Sequence, residues 1–223
     1  MQASPPPIRG SQLVLATFLL GLANFMVVLD AAITNVSIPH IAGALAVSPT
    51  QGAWATTSYA AAEAVTVPLS GWLARRFGPV RVFLAALAGF GAFSLLCGLA
   101  PTLALLVAFR VAQGLCGGPI MPMSQTLLLQ LFPPERSGQA LTFWGVTTII
   151  GPILGPMVGG SIVDNAAWGW IFLINVPVAV FTLVGAARLL RGRDPAPERP
   201  PMDWAGLALL AAWVAPMEVM LDK

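Results

Sequence analysis

The run Leu103–Leu131, LALLVAFRVAQGLCGGPIMPMSQTLLLQL, contains one ionisable side chain, Arg110, and is otherwise apolar or weakly polar. A bilayer core about 30 Å thick is crossed by about 20 apolar residues at ~1.5 Å per residue, so this run has length to spare. What surrounds it has the same character. Of the 223 residues, 57% are hydrophobic and 9% charged, where a soluble domain carries about 25% charged residues. Mean hydropathy is +0.82. A water-soluble globule of this size could not bury so much apolar surface, and disorder needs the opposite composition. The chain reads as an all-α transmembrane protein whose solvent is lipid. Its 22 glycines and 20 prolines fit that reading, because membrane helices tolerate such breakers.

Working outward, five more runs of spanning length flank the first: Leu13–Val36, Trp54–Ala74, Val82–Ala100, Ala140–Ile162 and Trp168–Leu190. The expected fold is a six-helix bundle over residues 13–190, preceded by a cytoplasmic segment over 1–12. Met1–Gly10 holds one Arg and three consecutive prolines, and the apolar run after it is too long for a signal peptide. Gly192–Met202, GRDPAPERPPM, is rich in proline and charge, so residues 191–203 read as a linker. A shorter seventh run, Trp204–Leu221, contains Pro216 and Glu218 and is expected to be a linking helix, with the chain truncated after 223. With the N-terminus inside, Arg9, Arg75, Arg76, Arg81, Arg136, Arg188, Arg191, Arg193 and Arg199 gather on the inner side, nine of eleven basic residues. The opposite connections around His40–Thr50, Ala100–Thr102 and Asp164–Ala167 carry none, as the positive-inside rule requires.

Several functions are excluded by what is scarce. A single histidine, His40, and two cysteines, Cys97 and Cys116, make neither a metal cluster nor a disulfide framework. Net charge of +2 offers no nucleic-acid surface. No HExxH and no Gly-x-Ser-Gly nucleophile is present, so an intramembrane enzyme lacks its catalytic groups.

Three ionisable residues inside the six runs carry the functional reading: Asp30, Glu63 and Arg110. Each costs a few kcal/mol at the bilayer centre and so faces the bundle interior or a watery cavity. Asp30 and Arg110 form either a structural ion pair or a proton-loading pair, since a carboxylate out of water holds a proton that a nearby guanidinium displaces. Glu63 has no evident partner and is the candidate to keep a proton until a cationic ligand arrives. Arg110 and Gln113 share a helix face, with Gly114 and Gly118 beside them. Leu29–Pro39 puts Asp30, Thr34 and Asn35 on a polar stripe ending at the outer proline.

Two glycine-rich stretches add mechanics. Gly71-Trp-Leu-Ala-Arg75-Arg76-Phe-Gly78-Pro-Val-Arg81 joins the second and third runs as a tight basic turn, which is either an ordinary loop or a gate. In Gly151-Pro152-Ile-Leu-Gly155-Pro156-Met-Val-Gly159-Gly160, glycines four apart form one close-packing stripe, and the prolines remove donors and introduce bends. This suits a helix at a moving interface, with static packing the alternative. Phe25, Met26, Trp54, Tyr59, Met121 and Met123 are candidates to line an adaptable cavity, or to pack between helices. Trp168 and Trp170 read as an interfacial belt.

Gly71–Arg81, Arg110–Gly118 and Gly151–Gly160 resemble, in order, the second-to-third-span, fourth-span and antiporter motifs of the major facilitator superfamily. Leu29–Pro39 and Trp168–Pro177 are similar to the first- and sixth-helix signatures of its 14-span drug:proton antiporter branch, the EmrB/QacA type. Here Arg75 stands where the common pattern has an acidic residue, which removes a carboxylate from the inner gate. The resemblance implies proton-coupled efflux of hydrophobic, often cationic compounds from a bacterial inner membrane, with no cofactor beyond the proton gradient. It places Asp30 and Arg110 at the proton-coupling positions and Gly151–Gly160 at the antiporter hinge. It also implies a missing C-terminal half, in cis or in trans, and recruitment of a periplasmic adaptor protein. A lone half is expected not to transport. An exporter of an endogenous antibiotic or siderophore, or a non-transporting membrane subunit, fits the same motifs.

Overall fold

The computed structural model describes residues 10–195 together with 198, 206, 209, 212 and 213. Among these residues no strand occurs. The helices are α1 (Ser11–Ala44), α2 (Pro49–Gly52), α3 (Trp54–Phe77), α4 (Pro79–Gly98), α5 (Leu103–Gly117), α6 (Ile120–Leu131), α7 (Ser137–Asn165), α8 (Trp170–Leu173) and α9 (Asn175–Leu190). A short 3₁₀ turn, Pro134–Arg136, leads into α7.

Proline decides where the rods are interrupted. Pro119 cannot donate, yet Gly118 and Pro119 keep right-handed helical dihedrals, so α5 and α6 form one rod with a flaw at the join. Ile174 does the same between α8 and α9, three residues before Pro177. Six rods result. Five are long and apolar enough to cross a membrane: Ser11–Ala44, Pro79–Gly98, Leu103–Leu131, Pro134–Asn165 and Trp170–Leu190. The expected run Trp54–Ala74 is helix α3, but its many polar residues keep it out of that group. Two of those it buries bond back along their own helix: Thr66 Oγ1 donates to the Ala62 carbonyl at 2.6 Å and Ser70 Oγ to that of Thr66 at 3.2 Å.

Two boundaries differ from expectation. Helix α1 does not stop near Val36; it continues through Pro39 to Ala44, because one proline near a helix end forfeits one backbone bond rather than the helix. The expected outer loop is then mostly helical. Ser48 and Gln51 bond reciprocally as a capping box at the start of α2. Of the expected seventh run, positions 206, 209, 212 and 213 are described and are helical; the rest, like most of the N-terminal segment and part of the linker, lies outside the described residues.

Helix α1 packs against α7, α9 and α6, α4 against α5, α9 and α6, and α3 against α5. The apolar core is divided in two along the bundle. One cluster includes Leu20, Val27, Phe83, Phe90, Ile120 and Ala179. The other includes Leu29, Ile33, Cys97, Leu106, Ile171 and Phe172. On α4 and α9 the boundary between them falls at a polar residue, Ser94 and Asn175. That boundary is the site.

Candidate functional site

At the boundary, four helices converge on a closed ring of hydrogen bonds. Arg110 Nη1 on α5 donates to Asp30 Oδ2 on α1 at 2.7 Å and to Gln113 Oε1 at 2.8 Å. Gln113 Nε2 donates to Ser94 Oγ on α4 at 3.0 Å. Asn175 Nδ2, at the start of α9, donates to Ser94 Oγ at 3.2 Å and to the other oxygen of Asp30, Oδ1, at 2.6 Å. Ser94 passes its own hydrogen to the Phe172 carbonyl at 3.1 Å. A fifth helix joins through Arg110 Nε, which donates to the Ala55 carbonyl, the residue just inside the start of α3, at 2.8 Å. Both charged side chains are 0% exposed. Two charges can stand in so dry a place only because each has both a counter-charge and additional hydrogen bonds.

Glycines on α5 create the geometry around Arg110. A Cβ at Gly114 would lie 3.0 Å from that of Ala62, and one at Gly118 would lie 3.0 Å from the Glu63 carbonyl oxygen. The bare face lets α3 approach closely enough for Tyr59 to slide under the guanidinium, whose carbon lies 4.1 Å from the ring centroid; Phe172 flanks it at 5.4 Å. Arg110 Nη2 is buried and hydrogen-bonds to nothing among the described residues, and the buried Tyr59 hydroxyl interacts with the Glu63 carboxyl. Beside them opens a cavity of about 230 Å³, lined by Ala31, Asn35, Thr56, Tyr59, Glu63 and Arg110 among others. Glu63 and Arg110 therefore share one space, with Asp30 behind the guanidinium. A larger groove of about 810 Å³ between α1 and α9 is walled by apolar residues such as Leu15, Phe181 and Val184, with Arg188 its one charged group; it lies away from this chemistry.

The remaining candidates scatter. Asn35 and Tyr59 line the cavity. Thr34 is buried and bonds the Asp30 carbonyl of its own helix at 2.7 Å, and Gln113 is held inside the ring. Met26 and Met123 are in the apolar core, so they cannot line the cavity. Phe25 packs against the second cluster. Trp54, 44% exposed, starts α3, and Met121 is half-buried on α6.

The basic turn is shorter than expected. Helix α3 runs on to Phe77, and Gly78, with φ of +96°, is the one-residue link to α4. Gly71 lies within α3 with open space beside it, so it belongs to neither turn nor close packing. Arg75 is exposed and Arg76 lies over Trp72 at 5.5 Å. The carboxylate lacking at Arg75 arrives from another segment: Asp194 accepts from the Val80 backbone N–H at 2.7 Å in the first turn of α4 and stands 3.5 Å from Arg81. A Cβ at Gly78 would collide with that carboxylate.

The antiporter-type stretch is half seam and half open flank. Gly151, Gly155 and Gly159 are buried against α1, facing Val28, Ala32 and Ile33 respectively. Pro152 and Pro156 point away and are exposed, and α7 remains one helix through both. Gly160 has nothing within 4 Å among the described residues and takes no part in the seam. The contacts rise together along both helices, so α1 and α7 run parallel. One step toward the basic end, Asn24 Nδ2 bonds Thr147 and Thr148 at 3.0 and 2.7 Å.

Asn175, Ser94 and Asn24 were not singled out from sequence. Their only signal was a lone polar side chain in an apolar run, Asn175 within a motif already noted.

Residues 20–218 match the Major Facilitator Superfamily model. The chain is 48% identical over 218 residues to the multidrug export protein EmrB of Haemophilus influenzae, covering 98% of this chain and 43% of that protein. It is 46% identical, with the same two coverages, to the fatty acid resistance protein FarB of Neisseria gonorrhoeae. The chain thus spans less than half the length of these curated relatives. In fold it is similar to a peptide transporter POT solved in complex with sulfate, with TM-score 0.72 at 17% identity over 96% of this chain and 46% of that one.

Proposed function

The chain belongs to the major facilitator superfamily, and from that premise we propose that it forms the N-terminal half of a proton-coupled exporter of hydrophobic, often cationic compounds. The observation that carries this reading is the Asp30–Arg110 pair, completely buried yet one guanidinium away from a cavity that also holds Glu63. A proton arriving from the cavity and bound by Asp30 cancels its charge and releases Arg110 toward the cavity. Glu63 is the group a cationic cargo meets. Tyr59 and Asn35 shape the apolar and polar walls around it. Cargo binding and proton loading then compete through one guanidinium, which is the requirement for exchange rather than co-transport.

Movement comes from rocking this bundle against a complementary half, supplied in cis or in trans, around a midplane cavity. The α1–α7 seam of Gly151, Gly155 and Gly159 gives a smooth contact on which such a motion can turn. The basic end, with Gly78, Arg76 and Arg81, is the cytoplasmic gate in a bacterial inner membrane, with the N-terminus cytoplasmic. The names of the curated relatives support a drug or fatty-acid-like cargo, and adaptor recruitment in the periplasm is proposed on the same likeness. Energy comes from the proton gradient, without a cofactor.

The deciding experiment uses the native gene product carrying this chain, reconstituted in proteoliposomes with an imposed pH gradient and a fluorescent cationic dye. Asp30→Asn is expected to abolish gradient-driven dye extrusion while dye still binds; undiminished extrusion would overturn the proposal. Glu63→Gln is expected to weaken binding of the cationic dye far more than that of a neutral one.

A further inference from the structure

The ring around Asp30 closes only through Asn175, and the two oxygens of Asp30 are divided between partners on different helices. Oδ2 takes Arg110 from α5 and Oδ1 takes Asn175 from α9. The orientation of the Asn175 amide is dictated by its neighbours. Its Nδ2 lies against both a carboxylate oxygen and the Ser94 hydroxyl oxygen, and Ser94 has already given its hydrogen to the Phe172 carbonyl. The amide can therefore only donate toward Asp30.

From this geometry, and resting on the reading of Asp30 as the proton carrier, we infer that Asn175 is a positioning residue that directs the proton to the oxygen of Asp30 held by Arg110. A protonated carboxyl has one hydroxyl oxygen and one carbonyl-type oxygen. With an amide donor fixed on Oδ1, that oxygen is kept as the acceptor and the O–H bond forms at Oδ2. The proton comes from the cavity side; as it binds Oδ2 the negative charge that held Nη1 is lost and the new hydroxyl hydrogen meets no acceptor on the guanidinium, so the Nη1–Oδ2 contact gives way. Loading of the proton and departure of Arg110 become a single event. The departing guanidinium has a place to go, since Nη2 has no partner among the described residues and the cavity with Glu63 adjoins it. Without the amide, a proton can settle on Oδ1 while Arg110 stays in place, and the pair takes up protons without moving.

The other titratable groups around Asp30 are Tyr59 and Glu63 on α3 and Cys97 on α4, whose thiol contacts Gln113 Oε1 at 3.5 Å. None of them touches Oδ1. On α9, Asn175 is the residue that reaches it.

The test compares gradient-driven and downhill dye flux for Asn175→Leu, Asn175→Gln and Asp30→Asn in the native gene product carrying this chain, in proteoliposomes. Site-to-site couplings ordinarily amount to about 5–150-fold. Asn175→Leu is accordingly expected to lower dye accumulation against the gradient by about tenfold while downhill flux is little changed and protons leak. Asn175→Gln, which keeps an amide donor, is expected to restore most of the accumulation. Undiminished accumulation in Asn175→Leu would overturn the inference, as would equal loss of uphill and downhill flux in both Asn175 variants, which marks a purely structural residue. If Asn175→Leu fails to reach the membrane, Asn175→Ala removes the donor with less bulk and is read by the same criteria. Retained accumulation in Asp30→Asn would instead sink the proton-carrier reading itself, and this inference with it.

Discussion

Helix α1 makes two contacts of opposite kind within two turns. Asp30 enters the hydrogen-bonded ring with α5, α4 and α9, where each partner is held by direction and distance. Val28, Ala32 and Ile33 lie on α7 across a seam made of glycine, where the only requirement is that nothing protrudes. A directional contact has one good register, whereas a smooth one has several of similar energy. The bundle thus combines a fixed node of five helices with a sixth, α7, whose glycine stretch is joined by shape. Where a transporter must hold charges in place and still change its outline, these are the two kinds of joint it needs.

The largest effect is expected at the node. Arg110→Leu leaves Asp30 buried without its counter-charge, and breaking a buried pair from one side costs about 3–5 kcal/mol; thermal unfolding in detergent should show a large drop or no folded protein. Adding Asp30→Leu should recover much of that loss, since a buried pair replaced by apolar groups is often neutral. Failure to recover would mean that the node is held by more than its charges. Next comes the seam. A methyl at Gly155 would collide with Ala32, and overpacking of this kind costs about 1–3 kcal/mol, so Gly155→Ala should loosen α7 and weaken disulfide trapping of paired cysteines across α1 and α7.

Between the two stands Asn24, a directional contact placed on the seam itself. Interhelical hydrogen bonds in membranes average about 0.6 kcal/mol with a maximum of about 1.7, and Asn24 Oδ1 has no partner among the described residues. Asn24→Leu should therefore cost less than Gly155→Ala in the same unfolding measurement. If it costs more, the seam is a polar joint in disguise. Smallest of all is Gly160→Ala, where no atom of the described residues stands within 4 Å; a gain of up to ~1 kcal/mol is expected from helix propensity alone. Gly155 and Gly160 belong to one sequence motif, and equal responses would dissolve the distinction drawn between seam and flank.

Much of this was legible before any coordinates. Apolar runs of spanning length mark the rods, because lipid leaves a chain few other options. Asp30 and Arg110 stand out for the same reason: an ionic group in hydrocarbon must have a partner, so each one advertises the other. Asn175 and Ser94 were not legible, because an uncharged polar side chain costs little in a membrane helix and its partner need not announce itself. Met26 and Met123 stayed open between cavity wall and helix packing, since a thioether looks alike in a core and at a binding wall, and only the rotation of the helix tells them apart. Gly160 was indistinguishable from Gly159 in the motif, yet one step around a helix of ~3.6 residues per turn moves a residue off the contact line. Helix α1 overran its expected end because Pro39 removes a donor where little depended on it.

Asp194 has a practical consequence. It lies beyond the last residue of α9, in what composition alone marks as dispensable linker, yet its carboxylate caps the first turn of α4 and occupies the space that Gly78 leaves vacant. Anyone dividing the polypeptide into separately expressed pieces, or inserting a protease site or a fluorescent tag after the sixth rod, should cut downstream of this residue. A boundary drawn at Leu190, where the helix ends, would strip a distant helix of its cap.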